Sequence, residues 1–164
     1  MDIQCLDSNI VIAIIALFAF LVSLWQTAST RKHNRLSVRP ILCTWKNINT
    51  TSFSFIIKNS GIGPAIIKDV TIFLNDKKIE GNDEAIIHEI IENIFSDYPH
   101  QCDASLFSAG YVFAINEQVE IANVKFTTLK SPSKDEINQK LSQVRLVVNY
   151  ESAYQKKVKL DTDE

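Results

Sequence analysis

The apolar residues of this chain follow two different patterns. From Ser8 to Thr30, SNIVIAIIALFAFLVSLWQTAST, no residue is charged, and between Ile10 and Trp25 only Ser23 interrupts the apolar run. About 20 such residues, rising 1.5 Å each, cross a hydrocarbon layer about 30 Å thick. The run therefore predicts a membrane-spanning helix over residues 8–30, preceded by a short tail, 1–7. Trp25 falls where an amphipathic ring meets lipid headgroups. The basic stretch RKHNRLSVRP then predicts a juxtamembrane linker over 31–38, because Pro40 disfavours helical backbone at Arg39.

After Pro40 the period changes to two, the mark of half-buried strands. In ILCTWKNI the alternation puts Ile41, Cys43 and Trp45 on one core face, and in SFSFIIK it groups Phe53, Phe55 and Ile57. AIIKDVTIFLN aligns Ile66, Val70, Ile72 and Leu74, with Lys68 breaking the pattern as a bulge or edge position would. YVFAI is a further short run. VEIANVKF changes phase across Ala122 and Asn123, which predicts a second bulge. The closing pair aligns Val144, Leu146, Val148 and Tyr150, then Tyr154, Val158 and Leu160, with ESA between them as a hairpin turn.

About seven strands without long intervening helices predict a mainly β fold: an antiparallel immunoglobulin-like β-sandwich over 39–162. One amphipathic helix interrupts it at about 83–96, where NDEAIIHEIIENIF carries isoleucines at helical spacing behind Asn82 or Asp83 as cap. SPSKDEINQK predicts either a second short helix, capped by Ser131 with Pro132 in the first turn, or a solvated loop.

Charge decides the orientation of the spanning helix rather than the class of partner. The net charge of -2 gives no general bias toward nucleic acid. Asp2 and Asp7 precede the apolar run, whereas the basic cluster Arg31, Lys32, Arg35 and Arg39 follows it, the inverse of a secretory signal. The positive-inside bias then predicts an inner (cytoplasmic) membrane protein with its soluble domain in the cytosol and its basic cluster on anionic lipid. Cys5, Cys43 and Cys102 form an odd set that suits a reducing compartment. The reversed topology would allow a Cys43–Cys102 bridge, and Cys5, close to a membrane helix, is open to acylation.

NSGIGPA packs Asn59, Gly61, Gly63 and Pro64 together, two of the four glycines and one of the four prolines in the chain. A phosphate-cradling loop follows a strand and opens a helix. Here no third glycine and no Lys-Ser or Lys-Thr follows, and alternation resumes at Ala65. The segment is therefore expected to turn one strand into the next, with glycines supplying positive φ and Pro64 fixing the exit. Strand, NSGIGPA, strand resembles the N-x-G-x-G-P-A turn of uncharacterised bacterial single-pass membrane proteins with an immunoglobulin-like β-sandwich. LVVNYESAYQKKVKL is similar to the final hairpin of such modules, although Ser152 and Ala153 stand where they usually have a turn glycine. The resemblance implies a fold and brings no catalytic residues.

Candidate chemistry is sparse. Glu84, His88 and Glu92 recur every four residues on the expected helix, a spacing that suits ion pairs and, with a fourth ligand, a metal. His100, Cys102 and Asp103 offer metal-like side chains without zinc-site spacing, and His100 with Cys102 could form a nucleophile pair in a small hydrolase. No Ser lies in a G-x-S-x-G elbow. The expectation is a non-enzymatic, membrane-anchored interaction or accessory module without catalytic, cofactor or metal residues. Its partners would be membrane lipid, an unidentified protein and a second copy, but not nucleic acid. Ile87 and Ile91 are the candidate interface on the helix. The alternative is a sensor or effector subunit of a membrane-associated stress or phage-defence assembly.

Overall fold

The computed structural model describes residues 3–81, 83–127 and 131–163. The chain forms two compact units, Met1–Ser37 and Val38–Glu164. The first is a single helix, α1 (Ile3–Leu36). Its segment Ser8–Asn34, 27 residues, is long and apolar enough to cross a membrane, since it rises about 40 Å. The hydroxyls of Ser23 and Thr27 donate to the carbonyls of Ala19 and Ser23 one turn back, so neither is left unpaired among apolar neighbours. The expected linker over 31–38 is mostly helix instead. Pro40 restrains only the residue before it, and basic residues suit the last turn, where helix carbonyls point outward. Asp2 lies outside the described residues, as do the side chains of Cys5, Asp7 and Arg35.

The second unit contains β1 (Leu42–Ile48), β2 (Ser52–Asn59), β3 (Ala65–Leu74), β4 (Lys77–Ile79), α2 (Glu84–Ile94), β5 (His100–Ala104), β6 (Val112–Phe113), β7 (Gln118–Phe126), α3 (Lys134–Leu141), β8 (Val144–Ser152) and β9 (Lys157–Asp161). One antiparallel sheet has the order β1-β2-β7-β5 and the other β4-β3-β8-β9, an arrangement that fits a β-sandwich. β4 and β6 share one edge of β3 at its opposite ends, while β8 takes the other edge. Phe53, Ile57, Ile67, Ile72, Val124 and Val148 are fully buried in the core to which both sheets contribute.

Lys68, expected as a bulge or an edge position, is a bulge, and the bulge expected across Ala122 and Asn123 falls one residue earlier. The β3–β8 register steps over Lys68, whose ammonium reaches outward to Glu151 at 2.6 Å. That step moves the core face of early β3 to Ala65 and Ile67 rather than the expected Ile66. On β7 the extra residue is Ile121, so Ile121 and Ala122 are both buried. The face assigned to β1 was inverted: Leu42 is buried, whereas Ile41 and Trp45 are exposed, Trp45 by 66%. An edge strand alternates equally well in either phase, and the apolar residues of β1 occupy both faces. Tyr154, expected on the return strand, lies exposed in the turn before β9.

Asp83 caps α2, its carboxylate accepting from the Ile86 N–H; the alternative cap, Asn82, lies outside the described residues. Ile87, Ile90, Ile91 and Ile94 are buried along one stripe, at i, i+3, i+4 and i+7. Ile87 and Ile91, expected as an interface, are core residues at 6% and 4% exposure. At the end of α2, the Phe95 ring centroid lies 5.2 Å from that of Phe53, tilted, and 5.5 Å from that of Phe126, edge to face. α3 forms, capped by Ser133 rather than Ser131: Ser133 and Glu136 exchange bonds in a capping box. Lys140 of α3 then donates to the Ile94 carbonyl at 2.6 Å, satisfying an orphan acceptor at the end of α2.

The pairing of β8 with the edge strand β9 is reinforced by charge. The side chain of Asp161 is only 1% exposed, and it accepts from Arg145 at 2.8 and 2.6 Å and from Lys159 at 2.6 Å. The Arg145 bonds, then the Lys159 bond, hold its carboxyl well below the usual carboxylate range. A carboxyl depressed below an unfolded value of about 3.9 stabilises the fold fully above that pH and loses this contribution as pH falls further. Asp161→Asn is expected to lower Tm at neutral pH and to flatten the dependence of Tm on pH below about 4. An acid limb unchanged from wild type would assign it to other carboxylates.

Ile91→Lys buries an ammonium without a partner among core isoleucines. It is expected to cost on the order of 3–5 kcal/mol, as an uncompensated buried charge does, read as a lowered melting temperature of the detergent-solubilised chain. Unchanged melting with improved solubility would return Ile91 to an interface.

Candidate functional site

The four residues singled out in NSGIGPA do converge, at the end of the second unit where the chain arrives from α1. β2 delivers Asn59 into full burial, at 0% exposure. A buried carboxamide must find partners for its donors and acceptor. Oδ1 accepts from the N–H groups of Gly61 at 3.0 Å and Ile41 at 3.3 Å. Nδ2 donates to the carbonyls of Gly63 at 2.8 Å, Ala114 at 3.0 Å and Phe113 at 3.3 Å. The Asn59 backbone pairs with Glu117 and Asn116. One side chain thus ties together the incoming segment 39–41, its own turn, and the loop that joins β6 to β7.

The glycines act by a different route from the one expected. Neither Gly61 nor Gly63 has positive φ. A Cβ on Gly61 would stand 2.4 Å from the Ile41 nitrogen, and one on Gly63 would stand 2.0 Å from the Val38 carbonyl oxygen. The incoming segment 38–41 lies directly on the turn, held by Ser60 N–H to the Ile41 carbonyl at 2.8 Å and Ile62 N–H to the Arg39 carbonyl at 3.1 Å. Glycine is required for close approach rather than for an unusual dihedral. Pro64, half-buried, leads straight into β3. The loop starts no helix, so the geometry of a phosphate cradle is lacking.

Two further contacts, one of them long-range, complete the clasp, and sequence reasoning missed both. Tyr150 on β8 accepts the Leu42 N–H at 3.2 Å, linking the two sheets. Tyr111 donates to Glu117 at 2.6 Å, while the other Glu117 oxygen accepts from the Ala114 N–H. These bonds hold the Glu117 carboxyl below its ordinary range. Only the isolated position of Glu117 between apolar runs hinted at such a role.

The other candidates do not assemble. Among the described residues, no group of three His, Cys, Asp or Glu side chains is placed to hold a metal. His88 and Glu84 are exposed on α2, and Glu92 comes no closer than 3.9 Å to His100. PHQCD enters β5, so His100 and Cys102 turn inward while Asp103 turns out. His100 Nδ1 lies 2.7 Å from the Tyr98 carbonyl and must donate to it. Burial first, then the Asp103 and Glu92 carboxylates, push the Cys102 thiol up to about 11, which leaves little thiolate for nucleophilic attack at neutral pH. Cys43 and Cys102 are both free. Between the sheets, Phe53, Ile72, Ile87, Ile91 and Leu146 surround an apolar cavity of about 60 Å³.

The sequence pattern of the domain of unknown function DUF8453 matches residues 5–164, nearly the whole chain. The chain belongs to this family. The DUF8453 match begins inside α1 and runs to the end of the chain, so the apolar helix and the two sheets are parts of one family unit. No curated protein matches the chain.

Asn59→Asp preserves shape but puts a carboxyl oxygen in place of the donating Nδ2 that faces three carbonyls. Each unpaired buried group costs about 1–3 kcal/mol, so this variant is expected to be more destabilising than Ser60→Ala at the exposed neighbouring position. Gly63→Ala is expected to cost about 1–3 kcal/mol from overpacking alone. Denaturation midpoints of the intact chain check both, and a Gly63→Ala chain with wild-type stability would contradict the close-approach argument.

Proposed function

We propose that this DUF8453 chain is a single-pass membrane protein whose β-domain is an immunoglobulin-like interaction or accessory module, displayed on the cytosolic face and acting through a protein partner. The observation that carries the reading is the clasp. The most heavily bonded buried polar side chain at the end of the domain secures the residues that follow an apolar helix long enough to span a bilayer. A construction of this kind serves attachment. Confinement to a surface then raises the effective concentration for membrane-bound partners.

The strand orders support the immunoglobulin-like assignment. β1-β2-β7-β5 corresponds to strands ABED, and β3-β8-β9 to CFG with β4 as an added edge strand. In that assignment α2 is an insertion ahead of the fourth strand of the first sheet. The basic residues Arg31, Lys32, Arg35 and Arg39 support the cytosolic orientation, and the free Cys43 and Cys102 are compatible with a reducing compartment.

Two measurements test the proposal. A C-terminal green fluorescent protein fusion is expected to fluoresce and an alkaline phosphatase fusion to stay inactive; the opposite result reverses the topology. Replacing α1 with an unrelated spanning helix that keeps the flanking charges is expected to preserve the partner recovered from native membranes. Loss of that partner on the exchange would make the helix sequence itself the working part, as in an oligomerising membrane effector.

A further inference from the structure

The end of the β-domain that receives the chain carries an apolar and basic face that the domain itself leaves uncovered. Antiparallel pairing collects several turns there. Leu42 pairs with Asn59, the Asn59 N–H reaches Glu117, and Ala65 pairs with Phe113 and Ser152. The segment 39–41 and the turns at 60–64, 114–117 and 153–156 therefore share one end. Among the described residues of the unit, the exposed large apolar side chains are Ile41, Trp45, Ile62, Val112, Ile115 and Tyr154. All except Trp45 belong to this end, with Ile62 and Ile115 at turn tips.

The charge at this end has one dominant sign. Arg39, Lys156 and Lys157 are exposed there, while Glu117 is held by Tyr111 and Ala114, and Glu151 pairs with Lys68. The opposite end exposes Asp76, Asp83, Glu84, Asp97, Asp135 and Glu136 alongside Lys77, Lys78 and Lys134. Among the described residues it exposes no large apolar side chain.

We propose that this face docks on the anionic headgroup layer of the bilayer that α1 spans. Ile62 and Ile115 enter the interfacial region, and Arg39, Lys156 and Lys157 meet lipid phosphates. The proposal rests on the membrane-anchor reading. Chain length selects a lipid surface as the occupant: Ile41 lies five residues beyond Leu36, and a chain advances at most about 3.6 Å per residue. This part of the face is thus tethered within about 18 Å of the helix end. Cations beside apolar side chains are also the pairing that anionic interfaces retain.

The test uses the full chain, with Trp25→Phe and Trp45→Phe to silence native emission, reconstituted in phosphatidylcholine–phosphatidylglycerol vesicles with brominated acyl chains. Ile62→Trp and Ile115→Trp are expected to lose most of their emission relative to unbrominated vesicles, and Asn93→Trp on α2 to keep its emission. Combined Arg39→Glu and Lys156→Glu, in a chain that still melts cooperatively, is expected to restore emission at position 62. Equal emission at 62 and 93 would overturn the proposal, as would quenching indifferent to charge reversal. A concentration-dependent blue shift at 62 in lipid-free detergent would also overturn it, because a second copy would then cover the face. Carbonate washing separates the two levels: a chain removed from the vesicles contradicts the anchor itself, whereas a retained but unquenched chain contradicts only the docking.

Discussion

The carboxamide of Asn59 is cut off from water, so each donor and acceptor it carries must be matched inside the protein. Its partners come from its own turn, residues 61–63, and from two stretches remote in sequence, residue 41 and residues 113–114. No one of these can move without leaving a buried group unpaired. The glycines follow from the same constraint. Once Asn59 draws Ile41 toward the turn, the backbone of 38–41 occupies the volume that side chains at 61 and 63 would need.

The clasp also orders the sheets beyond it. β6 is only two residues long and could not persist alone, but its C-terminal end is held by the bonds from Asn59 to Phe113 and Ala114, and the residue before it, Tyr111, accepts from the Ile67 N–H. By lying against Ala65 and Ile66, β6 covers one end of the β3 edge, while β4 covers the other. The bulge at Lys68 falls between them, where a twisted backbone and a charged side chain blunt an edge that would otherwise invite another strand. At the far edge of that sheet, the ion cluster around Asp161 fixes the last strand.

Legibility in the sequence followed the range of the interaction. The apolar helix, the α2 stripe, both bulges and the β8 face were readable because period and composition act over a few residues. β1 was misassigned because Ile41, Cys43 and Trp45 alternate as regularly as Leu42 and Ile48, and only pairing with β2 chooses the phase. β4 and β5 were missed because Lys77–Ile79 and His100–Ala104 are polar and short, and exist as strands through their neighbours. The turn was located correctly and its chemistry misattributed. Close approach depends on which segment crosses the glycines, and the crossing segment, Val38–Ile41, lies about 20 residues earlier in the chain. Ile87 and Ile91 show the converse limit: an apolar stripe announces that it will be covered without saying by what.

If α1 is held in a bilayer, any force on the domain passes through Ser37 and Val38, and the bonds just beyond them determine where that load goes. Residues 39–41 meet the turn through the Ile62 N–H and Ser60 N–H bonds and through Asn59 Oδ1, all on the side of β2. One residue later the Leu42 N–H meets Tyr150, which belongs to the other sheet. The load is therefore divided between both sheets before it reaches the middle of β1, an edge strand that one neighbour alone would hold. Hydrogen bonds loaded side by side must break together, whereas bonds loaded in series break one at a time. The polar contacts around residues 39–42 thus tie the incoming segment to both sheets within four residues. A fully buried Asn, costly where its groups go unpaired, is fully matched at the point where the chain enters.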